Sequence, residues 1–341
     1  MSSLAQVSIH SSQFPENVRK DLLNSLRSRQ VNHKFHYESL KQVQKWLAIH
    51  QAYSPARTEP GCSLAYDLAF EAAASRIVGE KVHLIGLGCG GGEKDKRLLQ
   101  LLGPRAKELF YTPSDVSLPM VLVARKAALS VLPESNCSAF ICDLAATEDL
   151  TAVIEQGSLP FSAQPARART SHPVTRLVTF FGMIPNFEPR EVLPRLASLI
   201  RANDYLLFSA NLAPGDDYEA GVRRILPQYD NQLTRDWLLT FLLDLGVEKQ
   251  DGVLSFSVES NNGLKRVAAY FRFRRPRSIQ VESEEFEFQD GESIRLFFSY
   301  RYTTKLVQAL LAEHGISVLD QRLSSSQEEG VFLCQRATLP G

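Results

Sequence analysis

The N-terminal part of the chain contains three segments in which apolar residues recur every three to four positions. These segments span residues 15–30, 38–50 and 63–77. On the first two, the apolar positions are Val18, Leu22, Leu23 and Leu26, and Leu40, Val43, Trp46 and Leu47. This spacing places the apolar side chains on one face of a helix. We therefore predict three helices ahead of the first buried strand.

From residue 82 the pattern changes to short apolar runs separated by amphipathic segments. The runs predict strands at 82–86, 108–112, 138–142, 175–181 and 204–210, with helices between them near 93–102, 117–130, 147–156 and 189–201. Strands and helices that alternate at this spacing form a parallel sheet with helices on both faces. Residues 157–173 are rich in Pro, Ser and Ala and predict a surface loop.

Beyond Leu212 the pattern changes again. Residues 218–245 are mostly helical in pattern, and residues 253–302 alternate like antiparallel strands. In YFRFRR and EEFEF the aromatic residues alternate with charged ones. This predicts one face that buries phenylalanine, and opposite charges on two potentially neighbouring strands. A helix from Thr303 to His314 and two strands end the chain, which is how a seven-stranded methyltransferase sheet finishes.

Composition and charge exclude several classes of function. Lys plus Arg and Asp plus Glu both number 38, so the formal net charge is zero and a chain-wide basic surface for nucleic acid is absent. A local nucleic-acid patch of Arg272, Arg274, Arg275 and Arg277 is the alternative, but the acidic strand favours a solvated sheet face. No apolar run approaches the roughly 20 residues of a membrane span, so we expect neither nucleic acid nor membrane as a partner.

The cysteines and the N-terminal residues indicate a reducing compartment. The five cysteines are Cys62, Cys89, Cys137, Cys142 and Cys334, and no Cys-x-x-Cys pair occurs. This number and spacing support neither a disulfide framework nor a zinc site. His33 and His36 could meet on a helix face, but without a further ligand nearby we expect no metal. The N-terminus lacks the layout of a signal peptide, and we expect a cytoplasmic protein.

The sequence HLIGLGCGGGEK, at residues 83–94, carries the clearest candidate chemistry. An apolar strand leads into Gly86, Gly88 and Gly90, and a helix follows. Glycines in such a turn allow positive φ angles and the close approach of a ligand to the main chain. The next strand ends at Asp115, whose carboxylate can accept hydrogen bonds from both hydroxyl groups of a ribose. These features predict a site for an adenosine-bearing cofactor.

Two classes of cofactor use this kind of turn. The pattern G-x-G-x-x-G, which begins at Gly86, satisfies the dinucleotide fingerprint, but that fingerprint alone is weak. Asp143, with Leu144 beside it, follows the third strand and can place a polar edge at an adenine. Asn186 follows the fourth strand, where a methyl acceptor would lie. These residues and the final helix and hairpin favour S-adenosylmethionine (SAM), with an NAD(P)-dependent oxidoreductase as the alternative.

Four motifs, taken in order, resemble those of a known family. They are Tyr53-Ser54-Pro55-Ala56-Arg57-Thr58-Glu59, Leu87 to Lys94, Pro113-Ser114-Asp115-Val116-Ser117 and Asn186-Phe187-Glu188-Pro189. From about residue 34 to the C-terminus, the chain resembles the histidine α-N-methyltransferases of the ergothioneine pathway. That family includes fungal tryptophan-type N-methyltransferases. The resemblance implies an α/β fold, with a Rossmann-like seven-stranded class I methyltransferase sheet and a second α+β substrate-binding domain.

The resemblance also implies a division of the chain and a set of cofactor contacts. Residues 60–213 and 303–341 would form the SAM-binding domain, and residues 1–59 and 214–302 the substrate-binding or lid domain. The residues implied to contact the cofactor are Gly86, Gly88, Gly90, Lys94, Asp115, Ser117, Asp143 and Leu144.

The substrate residues follow from the same resemblance. Tyr53 and Asn186 match the catalytic residues that hold the α-amino group of the substrate. Tyr37 and Tyr229 match tyrosines near its carboxylate. Little acid–base chemistry is needed for in-line methyl transfer to a neutral amine, so positioning and desolvation are the main tasks. The expected partner is a small-molecule amine or amino acid.

Departures from the family pattern bear on the substrate. The family has an acid at the end of the first strand, where this chain has Gly86, which puts one cofactor contact in question. The Glu-x-Ser pair that grips imidazole in the histidine enzymes is Phe297-Phe298-Ser299 here, and a pocket methionine is Ala269. Loss of the acid should cost histidine about 2–4 kcal/mol in discrimination. We therefore expect an apolar or aromatic acceptor, with a non-catalytic SAM-binding protein as a further alternative.

Overall fold

The computed structural model describes residues 4–77, 79, 81–157 and 174–337. The predicted surface loop at 157–173 lies, from residue 158 onward, outside the described residues.

Helices and strands alternate through most of the described chain. The strands are β1 (Val7–Ile9), β2 (Lys81–Leu87), β3 (Glu108–Asp115), β4 (Ala139–Ile141), β5 (Thr175–Phe180), β6 (Tyr205–Asn211), β7 (Gly252–Asn261), β8 (Leu264–Phe273), β9 (Arg277–Val281), β10 (Glu284–Phe288), β11 (Ser293–Arg301), β12 (Ile316–Leu323) and β13 (Glu329–Arg336). The helices are α1 (Pro15–Ser28), α2 (Leu40–Tyr53), α3 (Pro55–Thr58), α4 (Pro60–Arg76), α5 (Glu93–Leu102), α6 (Leu118–Ala128), α7 (Leu150–Gly157), α8 (Pro189–Leu199), α9 (Tyr218–Tyr229), α10 (Gln232–Asp244) and α11 (Thr304–Glu313). Within the described ranges, no helix is long and apolar enough to cross a membrane.

A central sheet of eight strands has the order β1-β4-β3-β2-β5-β6-β13-β12. Neighbouring strands are parallel along the order β1-β4-β3-β2-β5-β6. Strand β13 is antiparallel to both β6 and β12. The seven strands from β4 to β12 in this order, with their antiparallel ending, confirm the predicted Rossmann-like class I methyltransferase sheet. The edge strand β1 was not predicted, because three residues are too few to show a period.

Strand β2 shows why helices cover both faces of this sheet. Val82 and Leu84 are buried in a cluster with side chains of α4 and α5. Ile85 and Leu87 point to the other face and are buried in a cluster with side chains of α8 and α11. A parallel strand buried on both faces is expected to read as a nearly continuous apolar run, as this one does.

A second, antiparallel sheet has the order β11-β8-β7, with a separate hairpin of β9 and β10. As predicted, the strands bury their phenylalanines: Phe271, Phe273, Phe286 and Phe288 share one core with α1 and α10. Helix α10 also packs against α2. This second sheet and the N-terminal helices therefore have a common apolar core.

The prediction that the arginine-rich and glutamate-rich strands are potential neighbours is wrong. Strand β8 pairs with β7 and β11, and β10 pairs with β9. Because only a short connection separates β9 from β10, these two strands pair with each other as a hairpin. This pairing occupies an edge of β10 that another strand would otherwise use. Arg275 and Arg277 instead form ion pairs with the buried carboxylate of Asp251.

The N-terminal residues contact both sheets. Strand β1 pairs with β4 of the central sheet. Farther along, the Val31 N–H donates a hydrogen bond to the Arg295 carbonyl of β11. The segment before residue 60 thus connects the two sheets at the place where the candidate site lies.

Candidate functional site

An open cavity of about 340 Å³ lies at the carboxyl ends of β2, β3 and β5 and is flanked by α2. Ligands of open α/β sheets bind at this edge. Of the residues predicted from the sequence, the cavity wall includes Tyr37, Tyr53, Gly88, Gly90, Lys94, Asp115 and Asn186. Those that do not line it are Gly86, Ser117, Asp143, Leu144, Tyr229, Ala269, Phe297 and Ser299.

The glycine turn connects β2 to the N-terminus of α5. Gly92 has φ +74°, and a Cβ atom there would lie 2.6 Å from the Cα of Ala124 in α6. Both the φ angle and the close approach of the two helices therefore require glycine. The result is a helix N-terminus at the cavity wall, where free N–H groups and the helix dipole favour an anionic or polar ligand.

Asp115, at the end of β3, is fixed by the glycine turn. Its Oδ2 accepts a hydrogen bond from the Gly90 N–H at 3.1 Å, and its Oδ1 accepts one from the Ser117 N–H at 3.0 Å. Burial raises the pKa of Asp115 to about 6. Ser117 thus contributes a backbone N–H rather than its hydroxyl group, which is buried without a partner in the described structure.

Gly86 is covered by a carboxylate from α5. A Cβ atom at Gly86 would overlap Oδ2 of Asp95. Asp95 is only 3% exposed and lines the cavity. It accepts hydrogen bonds from the Tyr111 hydroxyl at 2.7 Å and from the Thr179 hydroxyl at 2.9 Å. The sequence lacks an acid at the end of β2, but the structure has one in nearly the same place.

Lys94 presents its charge within a small polar network. Its Nζ donates a hydrogen bond to the Tyr66 hydroxyl at 2.7 Å and lies 3.8 Å from Oε1 of Glu329. The Tyr66 hydroxyl donates a short hydrogen bond to the same carboxylate, and burial raises the pKa of Tyr66 well above its usual value. Lys94 and Glu329 both line the cavity, so its wall carries a cation and an anion side by side.

The N-terminal segment covers Asp143. Its N–H donates to the Ser12 hydroxyl at 3.0 Å, and its Oδ2 lies 3.5 Å from Nζ of Lys34. Leu144 is buried in the core beneath it. His33, next to Lys34, lines the cavity instead. Asp143 and Leu144 therefore lie behind the cavity wall rather than on it.

Asn186 lies in a short helical turn just before α8. Its Nδ2 donates a hydrogen bond to the Phe298 carbonyl at 2.8 Å, which fixes the orientation of the amide. No donor in the described part of the chain reaches its Oδ1. Asn186 therefore offers the cavity a hydrogen-bond acceptor, which suits an amine N–H.

Tyr229 is held by a buried arginine. Its hydroxyl oxygen accepts hydrogen bonds from Nε and Nη2 of Arg301, at 3.2 and 3.0 Å, and lies 2.8 Å from the Ser299 hydroxyl. With both lone pairs used, Tyr229 must donate its own hydrogen. Arg301 is 6% exposed, and its Nη1 donates hydrogen bonds to the carbonyls of Leu212 and Glu328, at 3.2 and 3.4 Å. No carboxylate of the described residues forms an ion pair with it.

Five aromatic rings in contact form what we call the aromatic wall: Trp46, Tyr37, Trp237, Phe297 and Tyr229. The ring centroids of successive members lie 5.5 to 6.1 Å apart. The indole N–H of Trp237 is donated to the His36 carbonyl, so the ring offers only its apolar surface. Ala269 is fully buried and pairs with Phe297 across the sheet. The wall extends from the open cavity at Trp46 to the Arg301 site.

Tyr37 and Tyr53 occupy different surroundings. Tyr37 is partly buried, and its pKa is raised by the loss of solvent around it and by the nearby charge of Asp115. Tyr53, at the end of α2, is 48% exposed, and its hydroxyl has no hydrogen-bond partner among the described residues. Tyr37 therefore lies near Asp115, whereas Tyr53 is the more exposed of the two tyrosines.

Sequence reasoning missed several residues of this site. Asp95, Glu329 and Arg301 were not singled out, and Trp46 was assigned only to an apolar helix face. That face is not uniformly buried: Leu40 is 61% exposed, whereas Trp46 stacks on His50 and lines the cavity. The one available signal was the acid at Asp95, which follows Lys94 directly in a chain that lacks an acid at Gly86.

The described residues contain no group of three or more His, Cys, Asp or Glu side chains that could hold a metal ion.

A comparison with sequence models of protein families gives a match over most of the chain. Residues 18–336 match the sequence model of a family described as histidine-specific methyltransferase, SAM-dependent. A comparison with curated proteins found no match.

Solved structures similar to this chain include several methyltransferases. A SAM-dependent methyltransferase from Clostridium acetobutylicum is 11% identical, with 86% of this chain and 99% of that chain covered and a TM-score of 0.44. Magnesium protoporphyrin IX methyltransferase from Synechocystis, solved with S-adenosylhomocysteine (SAH), is 14% identical, with coverages of 89% and 98% and a TM-score of 0.43. At these scores neither likeness carries an argument about the activity of this chain.

Proposed function

Because the chain belongs to the family of SAM-dependent, histidine-specific methyltransferases, we propose that it methylates the α-amino group of an amino acid or a related small amine. We further propose that the acceptor is apolar or aromatic rather than histidine, with a tryptophan-type amino acid as the first candidate. The observation that carries this proposal is Phe297, whose ring packs between Tyr229 and Trp237.

SAM, when bound, supplies an activated methyl group on its sulfonium. On the protein side, Asp115 accepts hydrogen bonds from the ribose, held in place by the N–H groups of Gly90 and Ser117. Lys94 matches the carboxylate at the amino-acid end of the cofactor, and Glu329 keeps the Lys94 ammonium group in place. In this proposal Asp143 and Leu144 remain assigned to the adenine end of the cofactor. In the structure, the N-terminal segment lies between them and the open cavity.

Asn186 and Tyr53 orient the amine. The free Oδ1 of Asn186 accepts one amine N–H, and the Tyr53 hydroxyl, which has no other partner, holds the second. Two such hydrogen bonds turn the remaining lone pair of nitrogen toward the methyl group, and alignment of this kind is the main contribution to methyl transfer. Closure of the site excludes water that would otherwise solvate that lone pair.

Tyr229 and Arg301 support a carboxylate on the acceptor. A buried guanidinium without a carboxylate partner costs free energy, because it has lost its hydration. A substrate carboxylate near Tyr229 would restore a counter-charge and would accept the hydrogen that Tyr229 now directs to Ser299. Tyr37, whose raised pKa keeps its hydroxyl protonated, is the second donor in this proposal.

The aromatic wall supports an apolar side chain on the acceptor. An imidazole placed against Phe297 and Ala269 would find no acceptor for its N–H, and an unpaired polar group costs about 1–3 kcal/mol. A phenyl ring carries no N–H, and an indole ring carries one N–H on a larger apolar surface. Either ring would gain edge and face contacts with Trp237 and Tyr229, worth about 0.5–1.5 kcal/mol for each aromatic pair. Ser299 alone, already bonded to Tyr229, cannot replace a carboxylate.

A methyl-transfer screen tests the proposal. Purified protein, labelled SAM, the twenty amino acids and common biogenic amines are incubated, and the products are identified by mass. We expect methylation of tryptophan, tyrosine or phenylalanine and weak activity on histidine. Activity on histidine equal to that on tryptophan would contradict the acceptor proposal. Binding of SAH without methylation of any amine would favour a non-catalytic member of the family.

Phe297→Glu sharpens the same test. This variant restores an acid at the imidazole position, and we expect the ratio of kcat/KM for histidine to that for tryptophan to rise by about tenfold to a hundredfold. Phe297→Leu is the matched control, because it changes the ring but adds no charge. An equal rise in both variants would show that pocket volume, not the carboxylate, sets the preference.

The division of labour along the chain is also part of the proposal. Residues 60–213 with 303–341 bind the cofactor, and residues 1–59 with 214–302 bind the acceptor. A cytoplasmic location agrees with the five cysteines, all of which are free.

A further inference from the structure

Asp95 is a buried carboxylate in the cofactor region for which the proposed function has no role. It lies in the first turn of α5, and its Oδ2 occupies the space that a side chain at Gly86 would take. The Tyr111 and Thr179 hydroxyl groups donate to its two oxygens from β3 and β5. No cation among the described residues lies within ion-pair distance of it, since the neighbouring Lys94 is bonded to Tyr66.

This arrangement leaves Asp95 with unused acceptor capacity. A carboxylate has about four lone-pair sites, and the two hydroxyl groups occupy two of them. Asp95 also belongs to the cavity wall, next to the glycine turn. A buried acid with free lone pairs and no cation is unfavourable unless a ligand supplies the missing charge.

We propose that Asp95 binds the α-ammonium group of SAM and takes the place of the strand-end acid that Gly86 lacks. SAM carries two cationic groups, the sulfonium and the α-ammonium. Only the ammonium has N–H donors, so only it can use the free lone pairs of Asp95 in charge-assisted hydrogen bonds. Gly86 is then a requirement of this arrangement, because any side chain there would displace the Asp95 carboxylate.

The inference concerns the cofactor and does not depend on the acceptor. It can be tested by binding alone, with SAH and SAM and without any methyl acceptor. Failure of this test would leave the proposed N-methylation untouched, and failure of the acceptor screen would leave this inference untouched.

Asp95→Asn is the first variant, and isothermal titration calorimetry with SAH and with SAM at pH 8 is the measurement. We expect both ligands to bind about tenfold to a hundredfold more weakly, because a charge-assisted hydrogen bond is replaced by a neutral one. Asp67→Asn is the control. Asp67 pairs with Arg97 of α5, the helix that contains Asp95, but Asp67 does not line the cavity. Circular dichroism checks that both variants are folded.

Two results of this titration would overturn the inference. One is SAH affinity within about twofold of the wild type in folded Asp95→Asn. The other is a loss of affinity for SAM but not for SAH, since SAH keeps the ammonium and lacks the sulfonium. The second result would assign Asp95 to the sulfonium instead.

The pH dependence of SAH binding gives a readout on the unmodified protein. Burial raises the pKa of Asp95 to about 6, so the acid loses its charge as the pH falls below that value. The ionisable groups that face it are Tyr111 of β3, Cys89 of the glycine turn and Lys94 of its own helix. Burial raises the pKa values of Tyr111 and Cys89 well above their usual range, so neither titrates there.

Asp115 titrates in the same range as Asp95, because its pKa is also raised to about 6. We therefore expect SAH affinity to fall below pH 6. In the wild type the fall should follow the protonation of two groups, Asp95 and Asp115, and in Asp95→Asn the protonation of Asp115 alone. An unchanged pH profile in Asp95→Asn would overturn the inference.

Gly86→Ala tests the packing on which the inference rests. In the wild-type background the added methyl group overlaps the Asp95 carboxylate, so we expect a clear fall in melting temperature and a weaker SAH complex. In an Asp95→Ala background the same change should have little effect on melting temperature. Equal losses in both backgrounds would show that the carboxylate does not occupy that space and would overturn the inference.

Discussion

The cofactor side and the acceptor side of the cavity are built in different ways. The cofactor side is polar and comes from adjacent strand ends, with the glycine turn after β2 and Asp115 at the end of β3. The proposed acceptor side is the aromatic wall. Tyr37 and Trp46 line the cavity, and the rings behind them come from α10 and β11, which are far from α2 in the chain. A local sequence motif can specify the first side, whereas the second exists only after the chain has folded.

Because of this difference, we expect amino-acid substitutions to have different effects on the two sides. On the proposed cofactor side the backbone fixes the Asp115 carboxylate, through the N–H groups of Gly90 and Ser117. On the proposed acceptor side, side chains such as Phe297 determine the surface. We therefore expect substitutions on the cofactor side to affect folding and binding, and those on the acceptor side to affect substrate choice.

Gly92→Ala should give the largest effect. The residue has a positive φ angle and no room for a methyl group beside the backbone of Ala124, so the free energy of unfolding should fall by about 2–5 kcal/mol. Chemical denaturation measures this change. Gly91→Ala is the matched control, since no atom lies within 4 Å of a Cβ placed there. Similar losses in the two variants would refute the steric explanation.

Asp115→Asn should weaken SAH binding by about tenfold to a hundredfold, because the ribose hydroxyl groups lose a charged acceptor. Burial raises the pKa of Asp115 to about 6, so wild-type affinity should fall as the pH drops below 6 and the acid is protonated. Titration calorimetry between pH 5 and pH 8 checks both statements. The KM for the acceptor should stay unchanged, and a rise in that KM alone would contradict the assignment to the cofactor side.

Tyr229→Phe should lower kcat/KM for an aromatic amino acid by about tenfold, because one hydrogen bond to its carboxylate is lost. SAH affinity should not change, since Tyr229 does not line the cofactor side. The decarboxylated amine is the control substrate, because it has no group for Tyr229 to bind. An equal loss with the amine would show that Tyr229 supports the fold of the aromatic wall rather than the substrate carboxylate.

Tyr53→Phe should have the smallest effect on the protein itself. The side chain is half-exposed and its hydroxyl has no partner among the described residues, so the free energy of unfolding should change by less than about 0.5 kcal/mol. If the hydroxyl orients the amine, kcat should still fall by about threefold to tenfold. Thermal unfolding measures the effect on stability, and steady-state kinetics measures the effect on kcat. An unchanged kcat would show that Tyr53 is not a catalytic residue.

Much of the fold was predictable because its periods are long and regular. Helix α5 begins and ends at the predicted residues, and the strands from β2 to β6 lie within a few residues of their predicted bounds. The misses have physical causes. Strand β1 is too short to show a period. Residues 218–245, predicted to be mostly helical, do form the helices α9 and α10, which are separated where Asn231 caps α10. The pairing of charged strands failed because a two-residue period does not specify which strands are neighbours.

For the candidate site, the same contrast holds residue by residue. Gly88, Gly90, Lys94 and Asp115 were predicted from motifs and do line one cavity. Arg301, Trp46 and Asp95 carry no local motif.

By itself, the sequence determined the methyltransferase sheet, the glycine turn and the acid at the end of β3. These depend on apolar periodicity and on backbone angles, which short segments specify alone. Only the tertiary structure decided that Asp95 fills the space above Gly86, and that α2, α10 and β11 share one aromatic wall. It also decided that Arg301 is buried with no carboxylate partner among the described residues. Such contacts join residues far apart in the chain, and their energy depends on burial and distance, which exist only in the folded protein.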